Sequence, residues 1–355
     1  MSERQTVKGI AVALVLGCLL TVLAAEGILR VVMPHWQEFY SGWFVRAIQV
    51  PGHGKVATGR PGFHGYFAQN NGDFRIRITV NQFGLRNPEP VEAAANRVWF
   101  VGDSMTFGWG VEQDEIYSTV AGRLLKTPVY NVASPGAGVC GYQALVARMP
   151  TLVRPRAVVV GLILENDIHP YDCRKNAAEA EAASKKTSGD GIRSLGAINI
   201  KRFLTENTAL YNFFAVNLKR VAFIRDFLTT FGLIAEGHVY RRTLTDAAFD
   251  RAIDRTAAEL DALRKRFSSA IPFAVLISPG RFEIRDNDPF YRKLRERMAD
   301  ALAGRGIAAI DPFGNFRKEG FQHTHFAHDG HWSPRGHEIA GRATADWLRR
   351  RGIGN

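Results

Sequence analysis

The chain has 355 residues, 46% of them hydrophobic and 23% charged, with a formal net charge of +12. That apolar fraction over that length fills a substantial core, which excludes a wholly disordered chain and allows one large domain or two modest ones. The positive balance suits anionic surroundings such as acidic polysaccharide, phospholipid headgroups or nucleic acid without choosing among them, and a solvated basic surface explains it equally.

Arg4 and Lys8 precede GIAVALVLGCLLTVLAAEGILRVVM, where no charge occurs from Gly9 to Ala25 and only Glu26 and Arg30 break the apolar run before Pro34. This approaches the ~20 residues that a membrane-crossing helix needs. Positive charge ahead of it keeps the N-terminus inside and exports the remainder. Residues 1–33 are expected to be a retained single-pass anchor in the inner (cytoplasmic) membrane, with the rest in the periplasm or outside the cell. A cleaved signal peptide is the rival reading, since Val22-Leu23-Ala24 offers small-residue cleavage chemistry. Cys18 reads as a small lipid-facing residue. Cys140 and Cys173 would lie in an oxidising compartment, where two cysteines can make one bridge, although the sequence does not show that they meet. Neither has zinc-ligand spacing, and no metal or cofactor is expected.

From 34 to 96 the chain is rich in Gly, Asn and aromatics, and FRIRITVNQFGLRNPEP alternates like a half-buried strand until Pro88 and Pro90 stop it. This is a β-rich preface to a main domain spanning 97–355. There the rhythm changes. VWFV, VYNVA and AVVVGLIL read as apolar strands separated by the helical patterns YSTVAGRLLK and YQALVARM. The alternation resumes with a helix striped by Phe249, Ile253, Leu260, Leu263 and Phe267, then PFAVLIS, YRKLRERMADALAGRG, IAAID and PRGHEIAGRATADWLRR. Near-continuous apolar strands between amphipathic helices predict a parallel sheet covered on both faces. Residues 169–244 interrupt the pattern as an insertion. Its polar first part, to about Gly191, is expected as a flexible loop. Its aromatic second part, with Phe203, Tyr211, Phe213, Phe214, Phe223, Phe227 and Phe231, is expected to be helical: a lid, a partner surface, a membrane-leaning flap or simple packing on the domain.

In open α/β sheets, reactive groups gather beyond the carboxyl ends of the strands. Ser104 lies just past the first strand of the main domain, in VWFVGDSMTFGWGV, where glycines 102, 108 and 110 permit tight turning. Its hydroxyl needs a base and a group to orient the base; a helix N-cap would explain the same serine. Ten histidines are available. In FAHDGHWSPRGHEIAG, Asp329 can accept the Nδ1 proton of His331 and leave Nε2 free to take one from serine. His323, His325, His328 and His337 crowd the same stretch, without the i, i+4 spacing of a helical metal motif. For an oxyanion, NVASPGAG offers the backbone N–H of Gly136 and LILENDI the side-chain amide of Asn166; either could merely form a turn.

Gly-Asp-Ser after a strand, Asn131 with Gly136 after the second, Asn166-Asp167 after the third and an Asp/His pair before the last helix resemble, in order, the four blocks of the SGNH (GDSL-type) hydrolases. The resemblance covers roughly 97–350 apart from the insertion. RVWFVGDSMTFGWGVEQDEIY is similar to a bacterial, often envelope-associated branch in which a VNQFGLRN-like segment precedes the serine block. It implies a flavodoxin-like three-layer α/β/α sandwich around a parallel sheet. Ser104 would be the nucleophile, His331 the base and Asp329 its orienter, with Ser104 N–H, Gly136 N–H and Asn166 as oxyanion donors. Two positions depart from the family pattern. Glu165 stands where many relatives have glycine and could crowd or recharge the site. One residue, instead of two, separates Asp329 from His331, which puts the orientation of the histidine in doubt and looks more like polysaccharide O-acetyltransferases.

The expected activity is that of a membrane-anchored serine esterase removing acyl groups, acetyl foremost, from a carbohydrate or lipid through an acyl-serine intermediate. A sugar hydroxyl in place of water would make it an O-acetyltransferase. A silent polysaccharide-binding scaffold is a further reading, while dispersed basic residues and export argue against nucleic acid. The sequence says nothing about oligomeric state.

Overall fold

In a computed structural model, the structure describes residues 3–69, 72–187, 203–217 and 246–354. The chain forms two compact units, one made of 1–40 with 190–236 and the other of 41–189 with 237–355.

In the first unit, the helix Glu3–Val32 contains the stretch Gly9–Val32, with mean hydropathy 2.4, long and apolar enough to cross a membrane or serve as a signal sequence. Its two late charges have partners. Glu26 Oε1 accepts from Ala209 N–H at 2.9 Å and Oε2 from Leu210 N–H at 2.8 Å, at the start of the helix Ala209–Asn217. Arg30 donates to Glu26 at 2.7 Å and to the Asn207 carbonyl at 2.6 Å. The carboxylate thus satisfies N–H groups that a helix start leaves without intrahelical acceptors. Phe223, Phe227 and Phe231 lie outside the described residues.

In the second unit, five parallel strands form the sheet predicted from the apolar runs: β5 Val98–Gly102, β6 Val129–Ala133, β7 Ala157–Ile163, β8 Phe273–Ser278 and β9 Ala308–Ile310, ordered β6-β5-β7-β8-β9. Alternation along each strand divides the side chains between two cores. Trp99, Val101, Val158 and Val160 pack with the helices Val139–Arg148, Asp246–Arg264 and Pro289–Ala303. Val98, Phe100, Ala157 and Val159 pack with Tyr117–Leu125 and Pro334–Arg349. The result is the expected flavodoxin-like α/β/α sandwich, and the strand order reverses between β5 and β7.

Four shorter strands precede it as two antiparallel hairpins, β1 Val45–Val50 with β2 Gly54–Gly59 and β3 His64–Ala68 with β4 Arg75–Thr79. In β4 the alternation is visible in burial, with Ile76 and Ile78 inside and Arg75 and Arg77 outside. Phe67, Phe74, Ile76 and Ile78 pack against Phe107, with Trp109 and Phe326 beside them. The polar part of the insertion differs from expectation: 173–187 is a helix. Its AAEAEAASKK sequence is dense in the best helix formers, and Asp172 accepts from Lys175 N–H at its start. Cys173, its first residue, is bonded to Cys140 in the helix after β6.

Candidate active site

β5 ends at Gly102, and Asp103 caps the single helical turn Ser104–Phe107 by accepting from Met105 N–H at 3.1 Å. Ser104 is the first residue of that turn, so its N–H has no intrahelical acceptor. The following loop is held by Arg86, whose fully buried guanidinium donates to the carbonyls of Gly108 at 2.5 Å, Val111 at 2.8 Å, Arg77 at 3.2 Å and Phe107 at 3.3 Å. Burial lowers Arg86 to about 9, which leaves it cationic at neutral pH. Asn87 exchanges two hydrogen bonds, each 2.9 Å, with the backbone of Asn131 in β6. The VNQFGLRN stretch therefore ties the loop after β5 to the backbone of the adjacent strand β6.

Before the last helix, an isolated bridge between His325 and Trp332 and a Phe326 N–H to His331 carbonyl bond of 2.9 Å pinch 325–332 into a narrow loop. Gly330 sits at φ +83°, where a side chain would be strained, and a Cβ there would strike the Arg281 guanidinium. This turn brings Asp329 Oδ1 onto His331 Nδ1 despite the single intervening residue. His331 Nε2 lies 2.9 Å from Ser104 Oγ. A carboxylate can only accept, so Nδ1 carries the proton and Nε2 faces the serine hydroxyl as acceptor. Burial pushes the Asp329 carboxyl up, but hydrogen bonds and charge from His331 outweigh it and hold the group below the usual range. Trp109 stacks on the imidazole, centroids 5.6 Å apart.

Ser104 and His331 open on a cavity of about 300 Å³ that is also lined by Gly136, Asn166, Trp109 and Ala137. A Cβ added at Gly136 would meet nothing within 4 Å, so its Cα borders open space. Glu165 is not among the lining residues. Its carboxylate turns to Arg281, accepting from the backbone N–H at 2.6 Å and pairing with Nε at 2.8 Å. Burial raises Glu165, and the charges of Arg281 and His331 act against that rise. Two buried acids, Asp103 and Asp167, line the same cavity. Burial and the charge of Asp167 raise Asp103, and burial raises Asp167 to about 7 although it accepts from Tyr142 O–H at 2.7 Å and Ile163 N–H at 2.8 Å.

The other histidines near the C-terminus go elsewhere. His337 is buried with Nδ1 accepting from Tyr117 N–H at 3.2 Å, His325 pairs with Thr324, and His328 with Asp73. Among the described residues no three His, Cys, Asp or Glu side chains gather as metal ligands. Three contributors, Arg86, Asn87 and Gln69, have roles that the sequence does not show. Arg86 stands in the VNQFGLRN stretch, whose resemblance places it before the serine block but gives it no role. Gln69 donates to Asp329 Oδ2 at 2.6 Å from 260 residues away, with no local signal at all.

No family model and no curated protein matches the chain. Among solved structures, the chain is similar to a lipase from a goat rumen metagenome (13% identity, TM-score 0.41, covering 74% of this chain and 99% of that one). It is similar also to a member of the lipolytic G-D-S-L family from Veillonella parvula (12%, 0.39, 72% and 100%). A third is a carbohydrate esterase family 2 enzyme with a carbohydrate-binding domain from Corynascus thermopiles (14%, 0.41, 78% and 71%).

Proposed function

We propose that this chain is a serine esterase of the SGNH type, tethered to the inner membrane by its N-terminal helix and facing the periplasm or cell exterior. Its substrates are O-acylated, foremost O-acetylated, carbohydrates or lipids. The observation that carries the reading is the relay from Ser104 Oγ through His331 to Asp329 at the mouth of a small cavity. A cavity of about 300 Å³ suits a short acyl group. The stretch Gly9–Val32, long and apolar enough to cross a membrane, supports the tether.

Ser104 Oγ bonds to the ester carbonyl carbon as its proton passes to His331 Nε2. The oxyanion is met by Ser104 N–H, Gly136 N–H and the Asn166 amide. On collapse the carbon–alkoxy bond breaks and the imidazolium returns its proton to the leaving alcohol. Water, deprotonated by the same nitrogen, then attacks the acyl carbon; the carbon–Oγ bond breaks, the imidazolium returns its proton to Ser104 Oγ, and the acid is released. Asp329 remains ionised throughout and stabilises the imidazolium.

A fluorophosphonate probe tests this. Wild type is expected to be labelled and Ser104→Ala not; a folded wild type that resists the probe would overturn the reading. Acetate release from acetylated sugars, compared with acetyl transfer to excess sugar acceptor, distinguishes water from a sugar hydroxyl as the second nucleophile.

A further inference from the structure

We infer that Gln69, on the β3–β4 hairpin, is a positioning residue of this active site, so that the hairpin is a working part of the catalytic apparatus. The inference rests on the serine-esterase reading and extends it to a segment outside the sandwich. Asp329 divides its two oxygens. Oδ1 takes the imidazole Nδ1–H and, at 3.4 Å, the backbone N–H of His331, while Oδ2 takes the Gln69 amide at 2.6 Å. A carboxylate bound on one oxygen only is free to rotate about its last bond; a neutral donor on the second oxygen fixes the plane in which the first must lie. In serine triads the aspartate's worth lies in holding one tautomer and one orientation of the ring.

The same hairpin grips the loop at a second point. Asp73 accepts from His328 N–H at 3.1 Å and lies 2.8 Å from its Nδ1, and Phe74 packs on Phe326 with centroids 5.1 Å apart. The hairpin end is itself closed by a Gln69 N–H to Phe74 carbonyl bond of 3.0 Å. The titratable and charged groups around the Asp329–His331 pair are Glu165, His325 and His337, with the Arg281 guanidinium against Gly330; Gln69 supplies an uncharged donor in that setting. An amide meets this need where a second carboxylate would repel Asp329.

The test uses the full chain with an acetyl ester substrate, comparing wild type, Gln69→Met, Gln69→Glu and Ser104→Ala. Gln69→Met keeps the length and removes the donor; kcat is expected to fall about tenfold with KM within about twofold. Without the donor, the Asp329 carboxylate is more basic and holds the imidazolium more firmly, so the acid limb of kcat/KM moves to higher pH. Gln69→Glu adds a negative charge at the same place and is expected to move that limb further. A Gln69 serving only to stabilise the fold would lower the thermal midpoint or the yield of active sites titrated by the probe and leave the limb where it was. If Ser104→Ala is inactive while both Gln69 variants keep the wild-type limb and kcat, the Gln69 inference alone falls. If Ser104→Ala turns over like wild type, the esterase reading falls and takes Gln69 with it.

Discussion

Ser104, His331 and Asp329 differ in what their loss removes. By analogy with other serine triads, Ser104→Ala and His331→Ala are expected to lower kcat on the order of 10⁶-fold and Asp329→Ala about 10⁴-fold, measured under single-turnover conditions. The short Asp-x-His spacing left the last value open in the sequence; the turn at Gly330 brings the two side chains into contact, so a loss below about tenfold would show that the contact does not serve catalysis. Asp167 makes a separate prediction about stability. Its carboxyl lies near 7 in the fold, against about 4 when exposed. Between those values the unfolded chain has released a proton that the folded chain keeps, so this group's contribution weakens as pH rises from about 4 to about 7. Asp167→Asn is therefore expected to gain stability relative to wild type across that window, by at most about 1.4 kcal/mol per pH unit, in urea titrations at pH 5 and pH 7. His337 has the opposite sign. Burial lowers it to about 3, so its contribution is present above about 6.5 and is lost as pH falls.

Elements were legible wherever a period was strong. All five sheet strands and the sandwich helices Tyr117–Leu125, Val139–Arg148, Asp246–Arg264, Pro289–Ala303 and Pro334–Arg349 follow from apolar runs and stripes, because each buries a face that periodicity reveals. What escaped depends on pairing across distance. The Cys140–Cys173 bridge joins a helix of the sandwich to the first helix of the insertion. By chain entropy, a closed loop of 33 residues contributes about 3–4 kcal/mol. Replacing both cysteines by serine is expected to cost that much in denaturant unfolding; a loss under about 1 kcal/mol would mean that the reduced chain is already constrained there. The helix 173–187 departs from that rule because its polar composition resembles a loop while AAEAEAASKK favours a helix by propensity. Glu26 was legible only as an interruption of an apolar run. Its role at Ala209 and Leu210 predicts that Glu26→Ala makes 203–217 more susceptible to limited proteolysis in full-length protein, whereas Glu26→Gln, which keeps one acceptor oxygen, is affected less.

Across the whole molecule, the candidate site draws on both ends of the second unit. The order of the four motif blocks was readable because each follows its own strand, but the support from Arg86, Asn87 and Gln69 was not, since nothing in a linear pattern says which loop a hairpin will lie against. The Gln69–Asp329 contact closes over 260 residues of chain, and contacts of such separation form late because the intervening chain must first be ordered. On dilution from denaturant with the disulfide intact, far-ultraviolet circular dichroism is expected to recover before turnover does, and probe labelling of Ser104 to recover with turnover. A polypeptide still emerging from a channel would carry Ser104 for 227 residues before His331 followed, so the serine would lack its partner until nearly the whole chain was delivered.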